Sequence, residues 1–265
     1  MASTLTTVLT GATAGIGLAA ARMLAPRGGR LIVHGPCPAD RVDALLAELR
    51  ALPGAESVEY VPADFTGLRE VNGLVDRITQ LTERVDLLIN NAACAGPPRR
   101  EVTGDGHELT LQVNYLAPAL LTERLRRTLA LRRIVNVGSA THYSAELDFD
   151  DLECERHQWD GADAYARSKL ALTTYTCALG ARDLDAVSVH PGIVETDLLH
   201  AMFPISGASP ESAAANILEV AGRRGDAGSY YDEQRPVAPH PAATDAATQR
   251  RLAEMTGEWL RPFLR

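Results

Sequence analysis

The sequence predicts an α/β protein built on one doubly wound parallel sheet with helices on both faces. Short runs of β-branched and aliphatic residues recur along the chain, as expected of strands that are buried on both sides. Longer segments between these runs carry apolar residues at helical spacing. The alternation favours right-handed crossovers between parallel strands, and it predicts ligand sites beyond the carboxyl ends of the strands.

Six strands are predicted in chain order. They lie at 6–9, 31–33, 58–61, 86–89, 133–137 and 186–189. Helical spacing is clearest between the second and third, where Val42, Leu45, Leu46 and Leu49 form one apolar stripe. No internal repeat and no linker rich in Gly, Ser or Pro divides the chain, so residues 1–265 are predicted to form a single domain.

Two long irregular stretches are predicted to border a binding site. One is a substrate-loop insertion at about 141–161, and the other is a substrate lid at about 191–210. The C-terminal segment, 226–265, is expected to end in a helix over 244–259 that packs back on the body of the domain.

Composition excludes several classes of protein. The 26 basic and 34 acidic residues give a net charge of -8, which argues against nucleic-acid binding. The four cysteines form no C-x-x-C pair and the seven histidines are scattered, so neither a metal site nor a disulfide framework is expected. The N-terminus has no signal-peptide pattern, and no run approaches the roughly 18 apolar residues of a membrane span. We expect a cytoplasmic protein with no membrane partner.

The first chemical signal is the segment Thr10-Gly11-Ala12-Thr13-Ala14-Gly15-Ile16-Gly17. It stands directly after the first predicted strand and directly before a helical pattern. Glycines there let the backbone approach a pyrophosphate, whose charge is stabilised by the amides at the helix N-terminus. The glycine spacing differs from G-x-G-x-x-G, but the context still predicts a dinucleotide site.

Together with later motifs, this turn resembles the cofactor motif of the short-chain dehydrogenase/reductase family. The family's order continues with Asn90-Asn91-Ala92-Ala93, Asn114, Ser139, Tyr165 with Lys169, and Pro191-Gly192 followed by Thr196. Ala93 replaces the family's glycine. The 26 positions from Ser139 to Tyr165, with 228–232, resemble the retinol-dehydrogenase-like branch and its bacterial members. The resemblance implies a single Rossmann-type domain.

The resemblance also implies the site residues. The catalytic set is Asn114, Ser139, Tyr165 and Lys169, with Asn114 holding a water that links Lys169 to a proton path. The cofactor-binding set is Thr10, Gly11, Thr13, Ala14, Gly15, Ile16, Gly17, Asp64, Asn90, Ala92, Tyr165, Lys169, Pro191, Gly192, Val194 and Thr196.

Lys169 supports this interpretation without reference to the family, because it is the only lysine among the 26 basic residues. Residues four apart on a helix share a face, so its ammonium and the Tyr165 phenol can serve one site. A nearby cation favours the phenolate, so Lys169 is expected to bring the pKa of Tyr165 closer to the working range. Tyr165 would be the proton donor or acceptor, and Ser139 would hydrogen-bond the substrate oxygen during hydride transfer.

Selectivity between NAD and NADP depends on the residues after the second strand. A carboxylate there would bind the ribose of NAD and repel the phosphate of NADP. The sequence is Val33-His34-Gly35-Pro36, without a carboxylate, which favours NADP(H). The arginine that many NADP-using relatives have at this place is also missing, so NAD(H) remains an alternative cofactor. His34 and Arg41 are candidate phosphate partners.

An apolar substrate pocket is predicted from the two loops. Its candidate residues are His142, Tyr143, Leu198, Met202 and Phe203, which suit a hydrophobic ketone or alcohol. The alternative is ordinary loop packing, with His142 ordering the insertion.

The leading hypothesis is an NAD(P)-dependent oxidoreductase that interconverts a carbonyl and an alcohol on a small or medium apolar molecule. The alternative is a nucleotide-sensing regulator that binds the cofactor without turnover, although such a sensor has no need of a proton relay. Relatives commonly associate through the helices of Asn114 and Tyr165, which implies a homodimer or homotetramer. The Arg-rich and Ala-rich composition is typical of GC-rich bacterial genomes, where such enzymes often tailor secondary metabolites.

Overall fold

The computed structural model describes residues 5–156, 158–202 and 205–264. Its strands are β1 (Thr6–Leu9), β2 (Arg30–Gly35), β3 (Ser57–Pro62), β4 (Arg84–Asn90), β5 (Ala130–Val137), β6 (Ala186–His190), β7 (Tyr230–Asp232) and β8 (Arg235–Val237). They form one sheet in the order β3-β2-β1-β4-β5-β6-β7-β8, and only the β7–β8 pair is antiparallel. The doubly wound parallel sheet is therefore confirmed, with its switch point between β1 and β4.

Successive strand residues alternate between two apolar cores, one on each face of the sheet. In β1, for example, Val8 belongs to one core and Leu9 to the other, and both are fully buried. Such double burial explains why the central strands read as continuous apolar runs.

Helices cover both faces. They are α1 (Gly15–Leu24), α2 (Asp43–Ala51), α3 (Leu68–Leu81), α4 (Leu109–Leu111), α5 (Ala117–Thr128), α6 (Gly161–Gly180), α7 (Asp197–Met202), α8 (Pro210–Gly222), α9 (Pro241–Thr244) and α10 (Ala246–Leu260). The core that contains Leu9 includes residues of α1, α2 and α8, whereas the core that contains Val8 includes residues of α3, α5 and α6. The predicted helices on both faces are thus confirmed.

A π-helical segment, Gln112–Leu116, joins α4 to α5. Pro118 has no N–H, so it cannot donate the α-helical hydrogen bond to the carbonyl of Asn114, four residues earlier. This explains why the α-helical pattern is interrupted at Asn114, and such interruptions are frequent at functional sites.

The C-terminal helix α10 packs on the surface formed by the helices of Asn114 and Tyr165. The hydroxyl groups of Tyr115 and Thr256 lie 2.5 Å apart, and Arg124 of α5 donates to the carbonyl oxygen of Phe263 at 3.2 Å. Part of the surface through which an oligomer was expected to form is therefore covered by the chain's own C-terminus.

Candidate active site

A cleft of about 870 Å³ opens at the carboxyl ends of the parallel strands. Residues from the turns after β1, β2, β3, β4, β5 and β6 line it together with α6 and α7. It contains most of the residues that the sequence predicted for the site, namely Gly11, Thr13, Ala14, Gly15, Ile16, Gly17, Asp64, Ala92, Ser139, Tyr165, Lys169, Pro191, Gly192, Val194, Thr196, Leu198 and Met202.

The glycine turn after β1 forms one end of the cleft. Gly11 and Gly15 have φ values of +64° and +51°, which L side chains rarely adopt. The side chain of Asn91 holds the turn, because its Nδ2 donates to the carbonyl oxygens of Thr10 and Gly11 at 2.9 and 3.1 Å. Asn91 was quoted in the sequence motif but was not predicted as a site residue, since its backbone-binding role depends on the approach of β4 to β1.

The N-terminus of α1 faces this cleft without a side-chain cap. Ala14 is the N-cap residue, and the first turn contains no acidic residue. The N–H groups at the start of a helix and the helix dipole both favour an anion. The turn therefore offers backbone donors to a pyrophosphate.

His34, at the end of β2, binds backbone groups of the protein with both ring nitrogens. Nδ1 accepts the N–H of Gly11 at 3.3 Å, and Nε2 donates to the carbonyl oxygen of Ala63 at 2.9 Å. Burial lowers the pKa of His34 to about 4, so the ring is neutral. The prediction that His34 binds a phosphate is therefore wrong, and the other candidate, Arg41, does not line the cleft.

Position 35 has no room for an acidic side chain. A Cβ on Gly35 would lie 2.6 Å from Cγ2 of Thr13 and 3.2 Å from the hydroxyl oxygen of Tyr60. Tyr60 is fixed there because it donates to the carbonyl oxygens of Gly35 and Cys37. Packing thus agrees with the absence of a carboxylate at the end of β2.

Asp64 lies in the cleft at the end of β3, as expected. Its Oδ1 accepts the N–H of Thr66 at 2.9 Å, and its own N–H donates to Glu70 at 2.6 Å. The carboxylate is thereby held in a tight turn that lines the cleft.

Ser139 stands at the end of β5 with its hydroxyl oriented by the next turn. Its Oγ accepts from the backbone N–H and the hydroxyl of Thr141, at 3.3 and 3.0 Å. Because a hydroxyl has two acceptor lone pairs and one proton, the Ser139 proton is left to donate.

Tyr165 and Lys169 lie one turn apart on α6, and both are buried at the cleft wall. Nζ of Lys169 lies 5.6 Å from the centroid of the Tyr165 ring and donates to the carbonyl oxygen of Val137 at 2.9 Å. Burial raises the pKa of Tyr165 to about 12, against a hydrogen bond with Ser139 that lowers it, and burial lowers the pKa of Lys169 to about 8. Desolvation thus outweighs the expected lowering of the Tyr165 pKa, and Tyr165 holds its proton at neutral pH.

Asn114 lies outside the cleft lining, in the π-helical segment. Its Oδ1 accepts the N–H of Cys94, and its Nδ2 donates to the Cys94 carbonyl oxygen and to Oγ of Ser168. Ser168 in turn donates to the carbonyl oxygen of Tyr165. Both amide protons are therefore used, so the side chain braces the cleft floor against α6 and has no proton left for a water.

Thr10 and Asn90 also lie behind the cleft. The hydroxyl of Thr10 accepts the N–H groups of Asn91 and Ala92, both at 3.0 Å. Asn90 donates to the side chains of Thr122 and Asn136. Both predicted cofactor residues thus support the residues that line the cleft and do not line it themselves.

The structure does not bring His142 and Tyr143 to the cleft. His142 is fully buried behind Ser139, and Tyr143 donates its hydroxyl to the carbonyl oxygen of Ala238. Phe203, the remaining substrate candidate, lies outside the described residues. Leu198 and Met202 of α7 do line the cleft.

Most of the insertion at 141–161 packs elsewhere. Glu153 binds the ring of His107 at 2.7 Å and the N–H of Glu108 at 2.6 Å. Trp159 donates to the carbonyl oxygen of Pro97 at 2.9 Å. Thr141 is the one described residue of the insertion that lines the cleft. The stretch at 191–210 contributes much more, through every residue of 191–199 except Glu195 and through Met202 and Ile205.

The described residues contain neither a cluster suited to a metal ion nor a helix suited to a membrane span. Within 5–156, 158–202 and 205–264, no group of three or more His, Cys, Asp or Glu side chains is placed to hold a metal ion. In the same ranges, no helix has both the length and the apolar character needed to cross a membrane.

Comparisons with known proteins agree with the geometry of the cleft. The family described as short chain dehydrogenase matches residues 5–150. Retinol dehydrogenase 13 of Homo sapiens is 33% identical over 273 residues, covering 93% of this chain and 82% of that protein. A protein of Streptomyces sp. (strain C5) named "Putative daunorubicin C-13 ketoreductase DnrU" is 37% identical over 193 residues, covering 72% of this chain and 66% of that protein.

One similar solved structure is in complex with a nucleotide. The crystal structure of a short chain dehydrogenase from Burkholderia cenocepacia J2315 in complex with NADP matches with a TM-score of 0.63 at 28% identity. The match covers 86% of this chain and 95% of that one.

Proposed function

The chain belongs to the short-chain dehydrogenase family of oxidoreductases, and we propose that it interconverts a carbonyl and an alcohol with a nicotinamide dinucleotide. The observation that carries the proposal is a single cleft that joins the glycine turn to Ser139, Tyr165 and Lys169. One end suits a dinucleotide and the other suits proton transfer, as a hydride-transfer site requires.

The residues present fit such a cofactor. The uncapped N-terminus of α1 and the glycine turn suit a pyrophosphate, and we assign the adenosine to the part of the cleft that Asp64 lines. When bound, the nicotinamide ring supplies or accepts the hydride. The proposed cofactor-binding residues that line the cleft are Gly11, Thr13, Ala14, Gly15, Ile16, Gly17, Asp64, Ala92, Pro191, Gly192, Val194 and Thr196.

Tyr165 is the proposed proton donor in carbonyl reduction. It is protonated at neutral pH and gives its proton to the substrate oxygen, while Ser139 donates a hydrogen bond to the same oxygen. The charged Lys169, 5.6 Å from the ring centroid, stabilises the phenolate that forms. Asn114 supports this arrangement through its hydrogen bond to Ser168. Because both of its amide protons are used, a water held by Asn114 would have to donate a hydrogen bond to an oxygen atom of this residue.

NADP(H) is the proposed preferred cofactor, with NAD(H) as the alternative. Support comes from the end of β2, where position 35 cannot accommodate the carboxylate that would repel a 2′-phosphate. A similar chain, that from Burkholderia cenocepacia, is in complex with NADP.

The proposed substrate is a small or medium apolar carbonyl or alcohol. Leu198, Met202 and Ile205 line the cleft and give it apolar surface. The names of two relatives, "Retinol dehydrogenase 13" and "Putative daunorubicin C-13 ketoreductase DnrU", refer to an alcohol and to a ketone, in line with this reaction class. A cytoplasmic location and a role in secondary metabolism remain predictions, as does a homodimer or homotetramer, which would need surface that α10 leaves open.

Thermal unfolding with NAD, NADH, NADP and NADPH in turn tests the cofactor half of the proposal. A ligand at 100 times its Kd stabilises the native state by about 2.7 kcal/mol. We expect NADP or NADPH to raise Tm most. A shift with NAD or NADH alone would overturn the preference, and no shift at millimolar concentrations would count against the proposed function itself.

Tyr165→Phe separates an enzyme from a nucleotide sensor. We expect turnover of apolar ketones with NADPH to be lost while the cofactor-induced rise in Tm is retained. Tyr175→Phe is the matched control, because Tyr175 is on the same helix but does not line the cleft. A wild-type protein that binds the cofactor yet reduces no carbonyl in a broad screen would favour the sensor.

A further inference from the structure

His142 lies directly behind Ser139, in the 3-10 turn Ala140–Ser144. Its backbone N–H and its ring Nδ1 both bind the carbonyl oxygen of Ser139, at 3.2 and 2.7 Å. The side chain is fully buried. A residue that the sequence suggested for substrate contact therefore contacts the backbone of Ser139 instead.

The other ring nitrogen of His142 binds the C-terminal segment. Nε2 accepts the backbone N–H of His240 at 3.1 Å. A carbonyl oxygen can only accept and a backbone N–H can only donate, so the ring must be neutral with its proton on Nδ1. Burial, together with His240 and His190 nearby, lowers the pKa of His142 to about 4, which preserves this form at neutral pH.

Two aromatic rings fix the plane of the imidazole. The centroids of Tyr143 and Tyr230 lie 4.0 and 4.5 Å from that of His142. Both ring nitrogens are hydrogen-bonded and both aromatic neighbours pack against the imidazole, so His142 has one defined orientation. Through its hydrogen bonds to the Ser139 carbonyl oxygen, His142 holds the turn that positions the Ser139 hydroxyl.

We propose that His142 is a positioning residue that ties Ser139 to the backbone of His240, so that the C-terminal segment sets the direction of the Ser139 hydroxyl. The inference rests on the proposed function, in which that hydroxyl donates to the substrate oxygen. A donor that moves by even 1 Å loses much of its effect on a transition state, so an anchor behind it affects kcat.

A double-mutant cycle tests whether His142 acts through Ser139. We expect His142→Leu to lower kcat by about 10- to 100-fold while the NADPH Kd stays unchanged. His142→Asn keeps an N–H within reach of the Ser139 carbonyl, so it should recover part of the loss. In a Ser139→Ala background, His142→Leu should cause no further loss. An equal loss in both backgrounds would overturn the proposal.

Two substitutions at His240 form a matched pair of variants, and both leave His142 intact. Its φ of -51° suits proline, so His240→Pro removes the N–H donor without requiring a new backbone conformation. His240→Ala removes the same imidazole but keeps the N–H. We expect kcat to fall in the proline variant and to stay closer to the wild-type value in the alanine variant. Equal kcat in the two variants would contradict the link to the C-terminal segment.

The tautomer of His142 can be measured by NMR without any substrate. In protein labelled with ¹⁵N-histidine, we expect one ring that keeps its proton on Nδ1 between about pH 5 and pH 8, where an ordinary histidine titrates. A His142 ring that titrates there, or that carries its proton on Nε2, would overturn the inference. Failure of the proposed function appears differently, as a wild-type protein without turnover.

Discussion

Replacing Gly17 by alanine tests the tightest backbone contact of the glycine turn. A Cβ at Gly17 would lie 1.9 Å from the carbonyl oxygen of Gly11 and 2.6 Å from Nδ2 of Asn91. Real Cβ atoms essentially never come within 3.0 Å of such atoms, so the Gly11 oxygen would have to move by about 1.1 Å, the difference between 3.0 and 1.9 Å. That movement would displace the turn that we propose to bind the pyrophosphate of the cofactor.

The magnitude follows from two opposing terms. Alanine is the better helix former by about 0.5–1 kcal/mol, whereas overpacking against backbone costs about 1–3 kcal/mol. We therefore expect Gly17→Ala to lower the free energy of unfolding by about 1 kcal/mol, the middle of the range of about 0–2.5 kcal/mol that these two terms leave. Gly73 in α3 is the matched control, because a Cβ there meets no heavy atom within 4 Å. Gly73→Ala should stabilise the protein by about 0.5–1 kcal/mol.

Urea unfolding measures the two free energies, and titration with NADPH followed by fluorescence measures the effect on the cofactor. We expect the affinity for NADPH to fall by at least about tenfold in Gly17→Ala, which corresponds to 1.4 kcal/mol. Gly73→Ala should keep the wild-type affinity. A Gly17→Ala protein as stable as the Gly73→Ala protein, with unchanged affinity, would refute the argument from close approach.

Two further predictions concern buried charges. Reductive kcat/KM should be constant at lower pH and fall above about pH 8, because Lys169 loses there the charge that stabilises the Tyr165 phenolate, whereas Tyr165 keeps its proton up to about 12. A profile that is flat up to pH 10 would contradict this assignment. Arg133→Met should lower the free energy of unfolding by about 3 kcal/mol, since it leaves Asp185 and Asp226 without the guanidinium that binds both. An unchanged urea midpoint would show that the two carboxylates rehydrate freely.

The central sheet could be predicted because its strands are buried on both faces. All six predicted strands are present, and their ends differ from the predicted ones by three residues at most. The short strands β7 and β8, at the edge of the sheet, were not predicted. Each has three residues, which is too short for a period to show, and Pro236 weakens the strand pattern in β8.

The residues that meet in the cleft could also be predicted. The glycine turn, Ser139, Tyr165 and Lys169 meet in one cleft because each follows a strand end or lies on the helix that covers those ends. The sequence could not show which polar side chains face inward. Asn114 and His142 bind backbone groups that are distant in sequence, at Cys94 and His240, and no local pattern contains that information.

The pKa values of Tyr165 and Lys169 show that a sequence motif does not contain the effect of burial. The Tyr-x-x-x-Lys spacing indicates that a cation lies near a phenol, and from charge alone this predicts an acidified tyrosine. Both side chains are nearly fully buried, however, and burial favours the neutral form of each, which moves their pKa values in opposite directions, to about 12 and about 8. Tyr165 is therefore protonated at neutral pH, and the neighbouring Lys169 loses its charge more easily than an exposed lysine does. Any negative charge that forms on Tyr165 would lie in the same desolvated wall as Lys169, so the developing charge would raise the pKa of Lys169. The attraction between the phenolate and the ammonium therefore acts during proton transfer and not before it.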